Sequence, residues 1–226
     1  MATNPFWEEA YRRPGRLDTF GGGKPSQEII DIVAKLAKGA RVLDLGCGEG
    51  RQALYLARLG FAAVAVDISA AGVAKVRDVA ASEGLSVEAV ECDMRDYTFP
   101  GRFDLIVCHG CLHLIYRHEW PLVIARMKAA TTAGGYNLAG VFTDKAPEPE
   151  DQRGLMVGLF REGELLAQYA DWQVLEHKTY DFEHQHPDGP RHRHAGESLV
   201  AQKPVTSTPT AIQACLGKAE RRDRRP

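Results

Sequence analysis

The residues able to do chemistry stand at the ends of apolar runs. Asp44-Leu45-Gly46-Cys47-Gly48-Glu49-Gly50 closes one such run and opens a helical pattern. Glycines at such a turn let the backbone double back tightly and approach a ligand closely. A dinucleotide site wants its third glycine three residues after the second, and that position is Arg51. The third glycine is Gly50 instead, and the acid Asp44 precedes the turn. A carboxylate there would repel a pyrophosphate and suit an ammonium group. Asp67, with Ile68 beside it, ends the next apolar run, where a carboxylate can accept both hydroxyls of a ribose. Cys92-Asp93-Met94 follows the third run. Asp93 can accept from an adenine amine, and Met94 can contact the ring. Taken singly, each acid reads as a turn former or helix cap. Together they describe a ligand with an amino-acid end, a ribose, an adenine and no phosphate, which is S-adenosylmethionine (SAM).

Two further clusters carry reactive groups. Cys108-His109-Gly110-Cys111-Leu112-His113 lacks the histidine after its second cysteine that a haem attachment needs, and no second thiol pair completes a metal site. Its simpler reading is a loop under the cofactor with Cys108 near the adenosine. No metal is expected. The second cluster flanks Pro187-Asp188-Gly189-Pro190, with His184-Gln185-His186 before it and Arg191-His192-Arg193-His194 after it. A four-residue loop would set 186 opposite 191 and 184 opposite 193. Alternation along the strands then puts His184, His186, Arg191 and Arg193 on one face. That face could hold a small oxyanion, with arginines always charged and histidines adjustable near neutrality. A solvated hairpin tip is the competing reading, and a histidine metal site is a weaker third.

These residues need a frame that brings strand ends together. Arg41–Leu45, Ala62–Val66, Val87–Val90, Phe103–Cys108 and Gly135–Phe142 read as strands, and helical patterns at Arg51–Leu59, Ser69–Ser82 and Trp120–Thr132 separate most of them. Such alternation implies an α/β, Rossmann-like doubly wound sheet, mostly parallel, with helices on both faces. Glu162–Ala170 reads as a helix. Trp172–His184 and Arg191–Gln202 read as a C-terminal hairpin that supplies an antiparallel strand. Residues 1–25 read as a flexible leader or lid with a hinge at Gly21-Gly22-Gly23, residues 26–203 as one domain, and residues 204–226 as a disordered tail.

Asp44 to Gly50, Asp67 and Asp93 resemble the SAM-binding motifs of class I methyltransferases. Within that superfamily the later half is similar to the tellurite-resistance methyltransferases, through Gly134-Gly135-Tyr136-Asn137-Leu138, Phe160-Arg161-Glu162-Gly163-Glu164-Leu165, Tyr169-Ala170-Asp171-Trp172 and Leu199-Val200-Ala201-Gln202-Lys203. The resemblance implies a seven-stranded sheet whose last strand is antiparallel, SAM as cofactor, and tellurite or a related chalcogen oxyanion as acceptor. It also implies a histidine and an arginine of the hairpin beside the acceptor, here His184 and Arg191, with Arg193 or His194 as further candidates.

The bulk properties agree. The 226 residues suit one large domain, and 44% hydrophobic with 26% charged residues is an ordinary globular balance. A net charge of −2 gives no field for nucleic acid or anionic membrane. No signal peptide or membrane span is visible. The five cysteines fit reduced thiols in the cytoplasm. The expected partner is a small-molecule acceptor. A small organic thiol or amine acceptor stays open beside the oxyanion, as does a non-catalytic SAM-binding regulatory module. A nicotinamide oxidoreductase is disfavoured by Asp44 and Arg51.

Overall fold

The computed structural model describes residues 6–13, 23–148, 153–185 and 191–205. Its chain order is α1 (Phe6–Arg12), α2 (Gln27–Val33), β1 (Arg41–Leu45), α3 (Arg51–Arg58), β2 (Ala62–Asp67), α4 (Ala70–Glu83), β3 (Val87–Glu91), β4 (Phe103–His109), α5 (Trp120–Ala130), β5 (Thr131–Phe142), α6 (Glu164–Ala167), β6 (Gln173–Gln185) and β7 (Arg191–Gln202). The strands form one seven-stranded sheet in the order β3-β2-β1-β4-β5-β7-β6. β7 runs antiparallel to both of its neighbours, and the other pairs are parallel. β6 therefore runs with the parallel strands, so its C-terminal end lies at the carboxyl edge of the sheet.

β1 and β4 are buried along most of their length because both faces are covered. Leu43, Leu45, Ile106 and Cys108 meet the helix residues Ile124 and Met127 on one side. Val42, Leu105 and Val107 meet Ile29, Ile32 and Leu56 on the other. Strand order reverses at β1, between β2 and β4, and a cleft outside the strand ends at such a point is where open α/β sheets bind ligands.

Four elements differ from the sequence reading. Residues 6–12 of the expected flexible leader are helical. α5 stops at Ala130 and β5 begins at Thr131, because the Thr131 hydroxyl turns back to the Met127 carbonyl at 2.8 Å and the β-branched pair Thr131-Thr132 continues extended. α6 cannot start before Glu164, because Gly163 is left-handed at φ 85°. The hairpin pairs Gln185 with Arg191, His184 with His192 and Glu183 with Arg193, one residue off the expected register. The hinge glycines 21 and 22, the turn 186–190 and the tail 206–226 lie outside the described residues. No helix among the described residues is long and apolar enough to cross a membrane.

Candidate functional site

The carboxyl ends of β1, β2, β3 and β4, with the loops that follow them, line one cavity of about 920 Å³ that continues past β5 to the hairpin. That volume is at the upper end of small-molecule pockets, about 300–1,000 Å³. The glycine turn forms its floor. Gly46 has φ 78°, and a Cβ there would fall 2.5 Å from the Cys111 Sγ. Gly48 has φ 54°, and a Cβ there would fall 2.6 Å from the Tyr11 hydroxyl. Both positions therefore need glycine for conformation and for space.

Asp67 closes β2 beside this turn. Its two carboxylate oxygens accept from the Gly48 N–H at 2.7 Å and the Ser69 N–H at 2.8 Å. Each oxygen keeps acceptor capacity for a ligand. Burial raises its pKa, and the backbone donors oppose the rise. Asp93 follows β3 and is held by Arg95, whose guanidinium donates to both carboxylate oxygens. Burial alone would raise the Asp93 pKa, but the hydrogen bonds from Arg95 outweigh it and lower it. Met94 and Ile68 complete this end of the cavity.

Asp44 lies beneath the turn, 3% exposed, and accepts from the Ala53 N–H at 3.1 Å. Burial pushes its pKa up to about 7, against the Ala53 N–H and the charge of Arg51. Of the ten residues expected at the cofactor, Gly46, Cys47, Gly48, Asp67, Ile68, Asp93 and Met94 line the cavity. The other three stand behind that lining. Asp44 supports the turn, Gly50 caps α3, and Cys108 is in the core. Cys111 lines the cavity instead of Cys108, with its sulfur 3.3 Å from the Cys108 sulfur. Strand alternation aims Cys108 at the α5 side of the sheet, whereas Cys111 lies past the strand end and reaches over Gly46.

α1 covers the same floor from above. Ala71 N–H donates to the Glu8 carboxylate at 3.2 Å, and the Ser69 hydroxyl donates to it as well. This docking sets Trp7 and Tyr11 into the cavity wall. The sequence signal was available, since Trp7 and Tyr11 are four residues apart and share a helix face.

The far half of the cavity is walled by rings. Phe142 stacks between His113 at 4.4 Å and His194 at 4.6 Å, with Phe182 at 5.9 Å. The His113 Nδ1 accepts the Phe142 N–H at 3.2 Å, so the neutral ring carries its proton on Nε2. Burial takes the His113 pKa down to about 3 and, with Arg51, that of His109 down to about 4. His113 and His109 are therefore neutral at physiological pH.

The hairpin arginines face elsewhere. Arg191 pairs with Glu183 at 2.9 Å and Arg193 with Asp181 at 3.7 Å, all four exposed. Neither arginine lines the cavity, and the observed register separates Arg193 from His184. The His184 side chain lies outside the described residues. Among those described, no group of three metal-ligating side chains converges.

Comparison with known proteins places this geometry. The family model described as "Tellurite resistance protein TehB" matches residues 22–190. A "Probable S-adenosyl-L-methionine-dependent methyltransferase TehB" of Haemophilus influenzae is 33% identical over 152 residues, 66% of this chain and 51% of the relative. The crystal structure of TehB from Haemophilus influenzae superposes with a TM-score of 0.71 at 28% identity, covering 79% of this chain and 62% of that one. A "2-heptyl-1-hydroxyquinolin-4(1H)-one methyltransferase" of Mycobacteroides abscessus is 31% identical over 137 residues, 58% of this chain and 59% of the relative. The chain spans about half the length of the TehB relatives it matches. With its sheet order, its glycine turn and a family match over most of its length, the chain belongs to the TehB family of class I SAM-dependent methyltransferases.

Proposed function

We propose that this protein transfers the methyl group of SAM to a small acceptor held in the ring-lined half of the cavity. The observation that carries the reading is the convergence of the Gly46–Gly48 turn and Asp67 on one cavity wall. The residues present fit the cofactor: the turn has no room for a Cβ, and both Asp67 oxygens retain acceptor capacity. Bound there, SAM supplies an electrophilic methyl carbon on a sulfonium.

The protein's part is to bind, orient and exclude water. Asp67 takes the ribose hydroxyls. Asp93 takes the adenine amine, while Ile68 and Met94 give the ring apolar contact. Asp44 stabilises the ammonium group from below the turn. Cys47, Gly50 and Cys108 hold the shape of the floor. Trp7 and Tyr11 on α1 shield the cofactor end from water. The domain of residues 26–203 carries the site, α1 closes over it, and the cytoplasm keeps its cysteines as thiols.

The family description points to tellurite or a related chalcogen oxyanion as acceptor. A small organic acceptor with a ring is the second reading, favoured by the stack of His113, Phe142 and His194. The hairpin decides between them. An oxyanion acceptor would recruit Arg191, Arg193 and His184; a neutral ring would not. The test is calorimetric titration with S-adenosylhomocysteine, followed by turnover with tellurite and with 1-hydroxyquinolin-4-one. We expect cofactor binding and product with at least one acceptor. Arg191→Ala with Arg193→Ala should spare the aromatic turnover and the cofactor affinity. Loss of tellurite turnover in that double variant would return the acceptor role to the hairpin, and absence of cofactor binding in the parent protein would remove the methyltransferase reading.

A further inference from the structure

The half of the cavity that holds the rings also has a charged corner. Glu28 on α2 lines the cavity, and its side chain is 13% exposed. Its Oε1 accepts from the Ser198 hydroxyl at 3.0 Å, and the Lys178 ammonium stands 3.9 Å from the same oxygen. Among the described residues, no side chain donates to Oε2. Burial would raise the Glu28 pKa, but its own N–H, the Ser198 hydroxyl and Lys178 outweigh burial and lower it. The group is therefore a carboxylate at neutral pH.

The sheet sets this carboxylate against the rings. His194, Gly196 and Ser198 alternate along β7 and share one face. Gly196 pairs with Phe142 on β5 and with Tyr180 on β6. Ser198 lies two residues further along the strand, a rise of about 7 Å. The floor between them is made of glycine. A Cβ at Gly140 would fall 2.5 Å from the His109 ring, and one at Gly196 would fall 2.7 Å from the Tyr180 ring. The nearby cations have other partners. Lys178 is exposed and lies closer to Glu176, and Arg51 at the start of α3 feels Asp44 more strongly than Glu28.

A carboxylate withdrawn from water with one oxygen unengaged by any side chain is costly, and a donor that reaches this oxygen offsets the cost. A donor set one ring and a short arm away from Phe142 belongs to an aromatic amine. We propose that Glu28 binds the amine of an aromatic acceptor whose ring lies along the wall of Phe142, His113 and His194, and so selects against oxyanion acceptors. The proposal rests on the reading that the ring-lined half holds the acceptor. Glu28 determines specificity by binding and positioning; no bond is made or broken at it.

The test uses protein saturated with S-adenosylhomocysteine and two probes that share an indole ring and a two-carbon arm. Tryptamine ends in an ammonium and indole-3-propionate in a carboxylate. By calorimetry, the parent protein should bind tryptamine more tightly than indole-3-propionate by about tenfold or more. Glu28→Gln should weaken tryptamine about tenfold, leave indole-3-propionate no weaker, and keep S-adenosylhomocysteine within about twofold. The parent ratio needs no variant and decides the matter if the glutamine protein fails to fold. A parent protein that binds both probes alike, prefers the carboxylate or binds neither would overturn the proposal, as would a glutamine variant that keeps the ratio. Loss of S-adenosylhomocysteine affinity in that variant would place Glu28 at the cofactor and overturn it too. A parent protein that does not bind S-adenosylhomocysteine would remove the methyltransferase reading first and this proposal with it.

Discussion

Asp44 shows how one residue reports on both folding and binding. Its carboxyl titrates near 7 in the folded chain because it is buried, against about 4 when unfolded. Between those values the folded state holds a proton that the unfolded state has released. The contribution of Asp44 to stability is therefore most favourable below about pH 4, falls as pH rises toward 7, and is level above it. Asn cannot ionise, so Asp44→Asn should gain melting temperature relative to the parent protein between pH 5 and 7, without ligand. A melting difference that stays flat over that range would contradict the assignment. The acids and glycines of this site were legible because each follows its own apolar run. Arg51 was legible only as a missing glycine, because its place in the cavity wall depends on how the start of α3 is set in space. Cys111 and His109 were hidden in a loop that shows its facing only when β4 is folded.

Among the elements, β1 to β4 were read nearly to the residue because short apolar runs bounded by glycine have few other solutions. α1 was not, since a seven-residue helix flanked by proline and glycine gives a weak periodic signal and forms through docking. Glu8 makes that docking by accepting from Ser69 and Ala71 at the start of α4. Glu8→Gln should loosen α1, raise amide exchange at Gly48 and Gly72, and weaken S-adenosylhomocysteine several-fold. Unchanged exchange at both glycines would mean that α1 is held by something other than this carboxylate. The hairpin register missed by one residue, because loop length between prolines is not set by hydrophobic pattern.

At the scale of the whole molecule, the fold class and cofactor motifs were readable, while the acceptor half of the cavity was not. That half is assembled from the segment after β4 and from β5, β6 and β7, through His113, Phe142, Phe182 and His194, which no single stretch of sequence contains. β7 joins it to the rest, pairing with β5 on one side and β6 on the other. A chain ending at residue 185 should leave both neighbours open and aggregate, whereas one ending at 205 should stay in solution and keep its cofactor affinity. Solubility after expression decides this, and a soluble, binding-competent chain of 185 residues would refute it. The insertion of β7 also has a consequence in time. During translation β5 and β6 leave the ribosome before the strand that unites them. The nascent chain thus carries two unsatisfied edges until Gln202 clears the exit tunnel, and the sheet completes after synthesis of the domain, not during it.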